Sequence, residues 1–268
     1  MNDQSIQWLK IWIRFGFLIK GLVYILLGLL AAQAALTYRR QAQDTRGVLQ
    51  AIAQQPLGNF LLIIIAFGLA GYACWRFIEA LLGPESCSQG VQRWFKRLGS
   101  GLSSLAYGGL AFTALQILQG IYQESESTEL WTAKALALPM GQWLVGSVGV
   151  GVIGVGLAFF YRTFNAGFRK QLKLGTMNSR QKAVVVTVGR AGYLSRGIIF
   201  VIMGGYAIRA AHAFDADKVQ SSEKALDTIK QQPYGPGLLT LMAVGLIAYG
   251  IHMGLQAMYR QIELPTNE

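Results

Sequence analysis

Three stretches of the chain repeat one spacing of basic, aromatic and small residues. The fullest copy begins at Arg190, the first copy begins at Arg14, and a weaker copy begins at Arg97. A proline followed two residues later by a glycine comes 42 or 43 residues after each arginine, at Pro56, Pro139 and Pro233. Such agreement across three segments predicts one unit written three times. We place the repeats at residues 1–82, 83–175 and 176–268, together forming one domain.

Each repeat contains two apolar runs long enough to cross a bilayer, which takes roughly 20 residues. The six runs cover 15–37, 57–80, 99–122, 139–161, 190–213 and 236–259. The composition also favours lipid as the solvent, because 53% of the residues are hydrophobic and only 14% are charged. A soluble domain has about 25% charged residues. The sequence therefore predicts an all-α polytopic membrane protein with six transmembrane helices.

Two spans per repeat return the chain to its starting side, so all three repeats are expected to have the same orientation. We predict three parallel helix hairpins around a pseudo-three-fold axis along the membrane normal. The repeated residues of each first helix fall at steps of three and four, on one stripe. Because helices in lipid associate through small residues, we interpret this stripe as a packing seam in which rings fill the gaps beside glycines. The glycine-dense fourth span is expected to pack on several sides.

A short amphipathic pattern joins the two spans of each repeat. Apolar residues three and four positions apart occur over 48–56 and 225–233, and the middle copy over 132–139 keeps this spacing. The pattern predicts a short helix that lies flat at the outer interface or caps the bundle. The marker proline is expected to end that helix and to open the next span at its first turn.

Positive charge is concentrated on one side of the predicted bundle. The chain has 24 basic and 13 acidic residues, for a net charge of +11. The termini and the loops around 83–97 and 162–189, with the adjoining helix ends, hold 16 of the basic residues and five of the acids. The positive-inside rule makes this side cytoplasmic, with both termini inside. The distribution favours the bilayer and its anionic lipids as partners, and we expect no nucleic acid partner.

The sequence offers little for catalysis. His212 and His252 fall on different helices near opposite faces of the bilayer, so they cannot share a metal ion. The chain has no metal-binding motif, no phosphate loop and no pair of carboxylates inside a span, so we predict a protein that is not an enzyme and uses no cofactor or metal. Glu79 borders an apolar run, which makes it a functional candidate. The alternative, which we favour, is an interfacial ion pair with Arg76 one helical turn earlier.

Five basic residues of the repeat are the candidate site for an anion or an anionic lipid headgroup. If three equivalent helices approach a common axis, the arginines that open the repeats would form a basic cluster at the inner face. Lys20 and Arg196 lie six residues further along, roughly 9 Å deeper, within snorkelling reach of the interface. The alternative is that these are ordinary flanking residues of the positive-inside pattern. The candidates are Arg14, Lys20, Arg97, Arg190 and Arg196.

The repeated motif Arg-x-Gly-[Tyr/Phe]-x-x-[Lys/Arg]-Gly resembles that of a bacterial membrane-protein family called domain of unknown function 1206. The resemblance covers about residues 10–260 and is strong in the first and third copies. In the second copy, Ser100, Ser103 and Ser104 replace the aromatic, basic and glycine residues. The resemblance implies three tandem two-helix transmembrane repeats and a place in the bacterial cytoplasmic (plasma) membrane. It implies no activity, substrate or cofactor.

Two functional hypotheses fit these features. The first is a non-enzymatic scaffold or accessory protein that binds anionic lipid or a partner membrane protein. The second is a small transporter or channel that uses the axis between the three repeats. A transporter would need polar side chains at mid-depth in the bundle, and the spans offer few, among them Thr113, Gln116 and Ser147. The sequence therefore favours the first hypothesis.

Overall fold

The computed structural model describes residues 3–36, 45–82, 91–121, 128–165, 172, 177–213 and 235–260, and within these ranges the chain folds into eight α-helices. Six are long and apolar enough to cross a membrane. In chain order the helices are α1 (Asp3–Leu36), α2 (Thr45–Ala53), α3 (Gly58–Leu82), α4 (Val91–Leu118), α5 (Thr128–Leu136), α6 (Gly141–Asn165), α7 (Ser179–Ala213) and α8 (Gly235–Tyr259). The predicted all-α, six-span fold is confirmed.

The long helices form an arc rather than a closed ring. The most extensive packing joins α3 to α4, α6 to α7, and α8 to α1, which are pairs of helices from different repeats. Within the first and third repeats, α1 packs on α3 and α7 packs on α8 less extensively. In the middle repeat, α4 and α6 do not pack along each other among the described residues. The arc therefore runs α6, α7, α8, α1, α3, α4 and opens between its two ends.

The seams between repeats are equivalent at all three places. Each brings a small residue of a first helix against a small residue of the preceding second helix, counting the third repeat as preceding the first. A Cβ atom on Gly21 would lie 2.6 Å from the carbonyl oxygen of Gly250, and one on Gly197 would lie 3.1 Å from that of Gly156. The Ser104 hydroxyl instead donates to the Ala73 carbonyl, at 2.8 Å. Close backbone approach thus builds the three-repeat arrangement.

The filling of the gaps beside glycines differs from the prediction. We expected aromatic rings there, but backbone and aliphatic groups fill most of them. A Cβ on Gly204 would meet the carbonyl oxygen of Gly149 at 2.6 Å, and one on Gly28 would meet Ile247 at the same distance. The prediction holds at Gly197, where an added Cβ would lie 3.0 Å from the Phe160 ring. The aromatic members of the stripe point mainly into the centre of the bundle, where they contact one another.

The prediction that the fourth span packs on several sides is wrong. Helix α6 packs mainly on α7, and α5 makes the other contact. A Cβ atom added to Gly151 or Gly154 would meet nothing within 4 Å. The high glycine content of α6 therefore reflects one packed seam and a second, open face.

The short external helices have different environments. Helix α2 buries Val48, Leu49 and Ile52 against α1, α3 and α4. It therefore caps the bundle, which is one of the two alternatives that we predicted. Among the described helices, α5 packs substantially only on α6. The third amphipathic segment, 225–233, lies outside the described residues, as do residues 166–171 and 173–176 of the basic loop 162–189.

The two marker prolines within the described residues, Pro56 and Pro139, begin tight turns rather than helices. The amide of Gly58 donates to the Gln55 carbonyl at 2.8 Å, and the residue between Pro56 and Gly58, Leu57, has a φ of 65°. These values are typical of a type II turn, in which the third position favours glycine. Met140 has a φ of 67° at the equivalent place in the middle repeat. Helices α3 and α6 consequently start two residues after the proline, not at it.

Candidate functional site

The three arginines that open the repeats act on helix ends. Arg14 donates through Nη1 to the Ala257 and Met258 carbonyls of α8, at 3.0 and 2.8 Å. Arg97 donates to the Ala80 carbonyl of α3 at 2.7 Å and also to that of Leu81. Arg190 reaches the Phe164 carbonyl of α6 at 3.5 Å. A cation at these carbonyls satisfies acceptors that have no partner in the helix and opposes the negative end of its dipole.

These contacts put the arginines at three separate seams between repeats, all at one end of the bundle, where α1 begins and α8 ends. We call this the terminal end. The structure gives each arginine a role in holding one repeat to the preceding one. Their binding of lipid or another anion stays a prediction.

Lys20 lies deeper, in the centre of the bundle. Its side chain is 2% exposed, and its ammonium donates to the Tyr72 hydroxyl at 2.7 Å. The same nitrogen is 4.1 Å from the centre of the Tyr72 ring and 4.4 Å from that of Tyr107. A cation over an aromatic face is stabilised by about 0.5–2 kcal/mol, more when water is excluded. Tyrosines from two repeats therefore hold this lysine.

Arg196 occupies the same repeat position and repeats the same arrangement. Its guanidinium donates to the Tyr249 hydroxyl at 2.7 Å and lies 4.9 Å from the centre of the Tyr24 ring. Phe159 of α6 adds a further ring at 4.7 Å. In each case a cation of one first helix bonds to a tyrosine of its own second helix and stacks on a tyrosine of the next first helix. We call this arrangement a cation–tyrosine unit.

The two cation–tyrosine units meet at the centre of the bundle. The Tyr24 and Tyr107 hydroxyls are 3.2 Å apart and share a hydrogen bond. The rings of Tyr24 and Tyr249 meet edge to face with centres 4.8 Å apart, as do those of Tyr72 and Tyr107 at 4.7 Å. Since residues of all three repeats take part, this ring contact is where the pseudo-three-fold arrangement converges.

The middle repeat lacks the third unit at all three of its positions. Ser103 stands where the cation would be, Val155 where the second-helix tyrosine would be, and Phe200 where the tyrosine of the next first helix would be. The Ser103 hydroxyl bonds to its own helix, at the Gly99 carbonyl. The three residues of the unit are therefore present together or replaced together within this chain.

We call the two cation–tyrosine units, together with the charged side chains bonded to them, the cation–tyrosine cluster. One of these charged side chains is a carboxylate. Glu79 forms the expected ion pair with Arg76, at 2.6 Å, and a second with Arg260 at 2.8 Å. Arg76 also donates to the Tyr72 hydroxyl at 2.9 Å, which links this pair to Lys20. Burial lowers the pKa of Arg260 from that of a free guanidinium, and the Glu79 carboxylate opposes the shift. The ion pair is thus part of a larger network.

The cluster carries more positive than negative charge. It contains four basic side chains and one acid, a formal excess of three positive charges, from Lys20, Arg76, Arg196, Arg260 and Glu79. No carboxylate among the described residues forms an ion pair with Lys20 or Arg196. Cations buried without counter-ions attract anions strongly, because the low dielectric screens little. The arrangement is chemically suited to holding an anion.

Sequence reasoning found the two deep cations but missed their partners. Tyr72 and Tyr249 lie at the same separation from the marker prolines of their repeats, and Tyr24 and Tyr107 occupy the same place in the first helices. That correspondence was visible in the sequence. Arg260 carried no such signal, because it follows the last span and reaches Glu79 only through the fold. Among the described residues, no group of three or more metal-ligating side chains occurs.

Comparison with known proteins places these repeats in a family. The chain matches the family described as Domain of Unknown Function (DUF1206) three times, over residues 15–83, 98–166 and 191–260. It is 34% identical over 262 residues to an uncharacterized protein, YxxB, of Bacillus subtilis (strain 168), which covers 98% of this chain and 95% of the relative. No solved structure matches the chain. With three matches across most of its length, the chain belongs to the DUF1206 family.

Proposed function

We propose that this protein is a non-enzymatic membrane protein that binds an anionic lipid through its buried cation–tyrosine cluster and so acts as a scaffold or accessory factor. One observation carries the proposal: the formal excess of three positive charges gathered inside a bundle of apolar helices. An anionic headgroup would supply the missing counter-charge. A membrane of anionic lipids offers such groups at high local concentration.

The charge of the chain supports an orientation for this function. The terminal end carries the three helix-capping arginines, and the basic side predicted from the sequence includes that end. Positive charge beside apolar spans favours the cytoplasmic side. We propose that the protein crosses the bacterial cytoplasmic membrane with both termini in the cytoplasm, so that the cluster is reached from the inner leaflet.

A transporter or channel along the repeat axis is the alternative, and it receives less support. The axis is filled by tyrosine rings in edge-to-face contact, and Tyr107 and Tyr249 are only 7% and 3% exposed. Passage would require these rings to move apart. Flux of ions and small solutes above the rate of empty liposomes would promote this alternative.

The proposal is tested by the lipid that stays with the protein. The purified protein is exchanged into mixed micelles holding equal amounts of phosphatidylglycerol and phosphatidylcholine, and the bound lipid is measured by native mass spectrometry. We expect phosphatidylglycerol to be retained preferentially. Lys20→Met and Arg196→Met should each weaken its retention about five-fold, which corresponds to about 1 kcal/mol for each basic residue near an anionic headgroup.

Two matched variants separate the cluster from general surface charge. Arg180→Gln removes one positive charge from an exposed position at the start of α7 and should leave retention unchanged. Arg196→Lys keeps the charge and should retain most of the lipid, provided that it elutes as a single species of native size. Equal retention of the two lipids by the unmodified protein, or an equal loss in Arg180→Gln, would refute binding at the cluster.

A further inference from the structure

The place of the missing third unit lies at the opening of the arc. Ser103 on α4, Val155 on α6 and Phe200 on α7 are all partly exposed. Five of their six counterparts in the two complete units are buried: Lys20 is 2% exposed, and Tyr72, Tyr249, Tyr24 and Tyr107 are 1%, 3%, 9% and 7% exposed. The sixth, Arg196, is partly exposed. The exposure marks an opening between α4 and α6 that reaches the level of the cation–tyrosine units. We call it the α4–α6 cleft.

Three glycines on α4 and α6 leave open space along the α4–α6 cleft. A Cβ atom on Gly99, Gly151 or Gly154 would meet nothing within 4 Å. The equivalent glycines of the first repeat are closely packed: a Cβ on Gly16 would lie 2.6 Å from the Tyr72 amide, and one on Gly71 would lie 2.8 Å from the Trp12 ring. The middle repeat therefore keeps the narrow helix surfaces of a close contact but leaves them open.

Arg196 lies beside this opening, because its guanidinium contacts Phe159 on α6 and Phe200 on α7. It is partly exposed, although the rings of four aromatic residues surround its guanidinium: Tyr24, Phe159, Phe200 and Tyr249. Two of these rings, on α6 and α7, border the place of the missing unit. Arg196 lies six residues beyond Arg190 along α7, or roughly 9 Å from the terminal end. A headgroup at that depth is within snorkelling reach of the interface.

We propose that the α4–α6 cleft binds one anionic phospholipid, whose headgroup contacts Arg196 and whose acyl chain lies between α4 and α6. This proposal rests on the proposed function and gives that function a site. Charge complementarity selects the headgroup, because Arg196 has no ion-pair partner among the described residues. The sideways opening between two membrane-spanning helices selects a ligand with a long apolar body.

A second copy of the chain fits the cleft less well. It would bring its own excess of positive charge to Arg196. An anionic phospholipid adds the missing negative charge through its headgroup, and its acyl chain needs no complementary protein surface. Dimer formation through the cleft would overturn the proposal.

The test places a fluorescent label inside the cleft and a quencher on the lipid chain. In a protein with Cys74→Ser and Cys87→Ser, bimane is attached at Ser103→Cys, and the protein is reconstituted in vesicles that contain phosphatidylglycerol or phosphatidylcholine with brominated acyl chains. We expect brominated phosphatidylglycerol to quench this label more strongly than brominated phosphatidylcholine. Gly205→Cys is the reference position, because the equivalent residues of the other repeats, Leu29 and Phe112, are 48% and 60% exposed. It should show no lipid preference.

Filling the cleft should remove the preference without touching a cation. Gly151→Leu places a large side chain in the open space of α6, and Gly205→Leu makes the same change on α7 where a Cβ also meets nothing within 4 Å. We expect the quenching preference to be lost in Gly151→Leu and kept in Gly205→Leu. Equal quenching by the two lipids at Ser103→Cys would overturn the proposal, as would weak quenching by both, which would mean that a protein surface covers the cleft. If Gly151→Leu still retains phosphatidylglycerol in mass spectrometry, the cleft proposal fails while the proposed function stands.

Discussion

The first and third repeats differ from the middle repeat in how their two spans meet. In the first and third repeats, α1 packs on α3 and α7 packs on α8, whereas α4 and α6 of the middle repeat stay apart. The seams to the neighbouring repeats, in contrast, are closed in all three cases. Small residues are present at both kinds of contact in every repeat. Glycine therefore permits close approach, and the cation–tyrosine unit distinguishes the repeats in which the spans meet.

The comparison also separates two roles for basic residues. The arginines that open the repeats recur in all three copies and bind helix ends, so they belong to the shared architecture. Lys20 and Arg196 occur only in the repeats whose spans meet, and each bonds to a tyrosine of its own second helix. In the middle repeat, which lacks that unit, the two spans stay apart and the neighbouring Arg196 is partly exposed.

The largest effect is expected for Glu79, whose carboxylate belongs to the first repeat. Glu79→Gln leaves Arg76 and Arg260 without their ion-pair partner. Breaking one side of a buried ion pair costs about 3–5 kcal/mol, because the remaining charges are uncompensated. We expect that loss in the free energy of unfolding, measured in mixed micelles. Arg162→Gln, at the same place in the middle repeat, should cost less than about 1 kcal/mol. An equal loss for the two variants would mean that the first repeat does not depend more than the middle repeat on a charged residue at this position.

Glycines of the closed and open faces should respond differently to the same substitution. Gly250→Leu forces a side chain against the Gly21 carbonyl, which would lie 2.5 Å from the new Cβ. Overpacking at a rigid backbone contact costs about 3 kcal/mol. Gly154→Leu faces open space and should leave the free energy of unfolding nearly unchanged. Both are measured by the same unfolding assay. A similar cost for the two variants would mean that the α4–α6 cleft closes in the membrane.

The features that the sequence predicted correctly are those encoded in residues close together along the chain. The spans, the shared orientation of the repeats and the importance of Gly21 and Gly197 came from spacing along the chain, because apolar length and helical periodicity are written in consecutive residues. The partners of Lys20 did not, since they lie on other helices and depend on the order in which the repeats meet. Nothing in the glycine content of α6 revealed that one face stays open. That face lies where Ser103, Val155 and Phe200 stand in place of the cation–tyrosine unit.

Rebuilding the missing unit in the middle repeat tests whether its three residues stabilise one another. Ser103→Lys alone puts a cation inside the bundle without tyrosine partners, at a cost of about 2 kcal/mol, somewhat less than at the bilayer centre. Adding Val155→Tyr and Phe200→Tyr supplies the two partners seen by Lys20, and contacts of this kind contribute about 0.5–2 kcal/mol. We expect the triple variant to recover about 1.5 kcal/mol. The measurement is a mutant cycle of unfolding free energies; additive effects would show that the three positions are not coupled.

The smallest effect concerns a feature that the first and middle repeats share. Leu57 and Met140 adopt φ angles of 65° and 67° in equivalent turns, and a left-handed conformation costs a residue with a side chain about 1–2 kcal/mol. Glycine removes that strain but gains entropy in the unfolded chain, worth about 0.4–1 kcal/mol. Leu57→Gly and Met140→Gly should therefore each stabilise the protein by about 0.5 kcal/mol. Because both side chains are largely exposed, at 77% and 75%, lost packing should not obscure the gain. Equal gains would show that the outer turn of the middle repeat has not diverged from that of the first repeat. A gain at Leu57 alone would show that this turn has diverged along with the rest of the middle repeat.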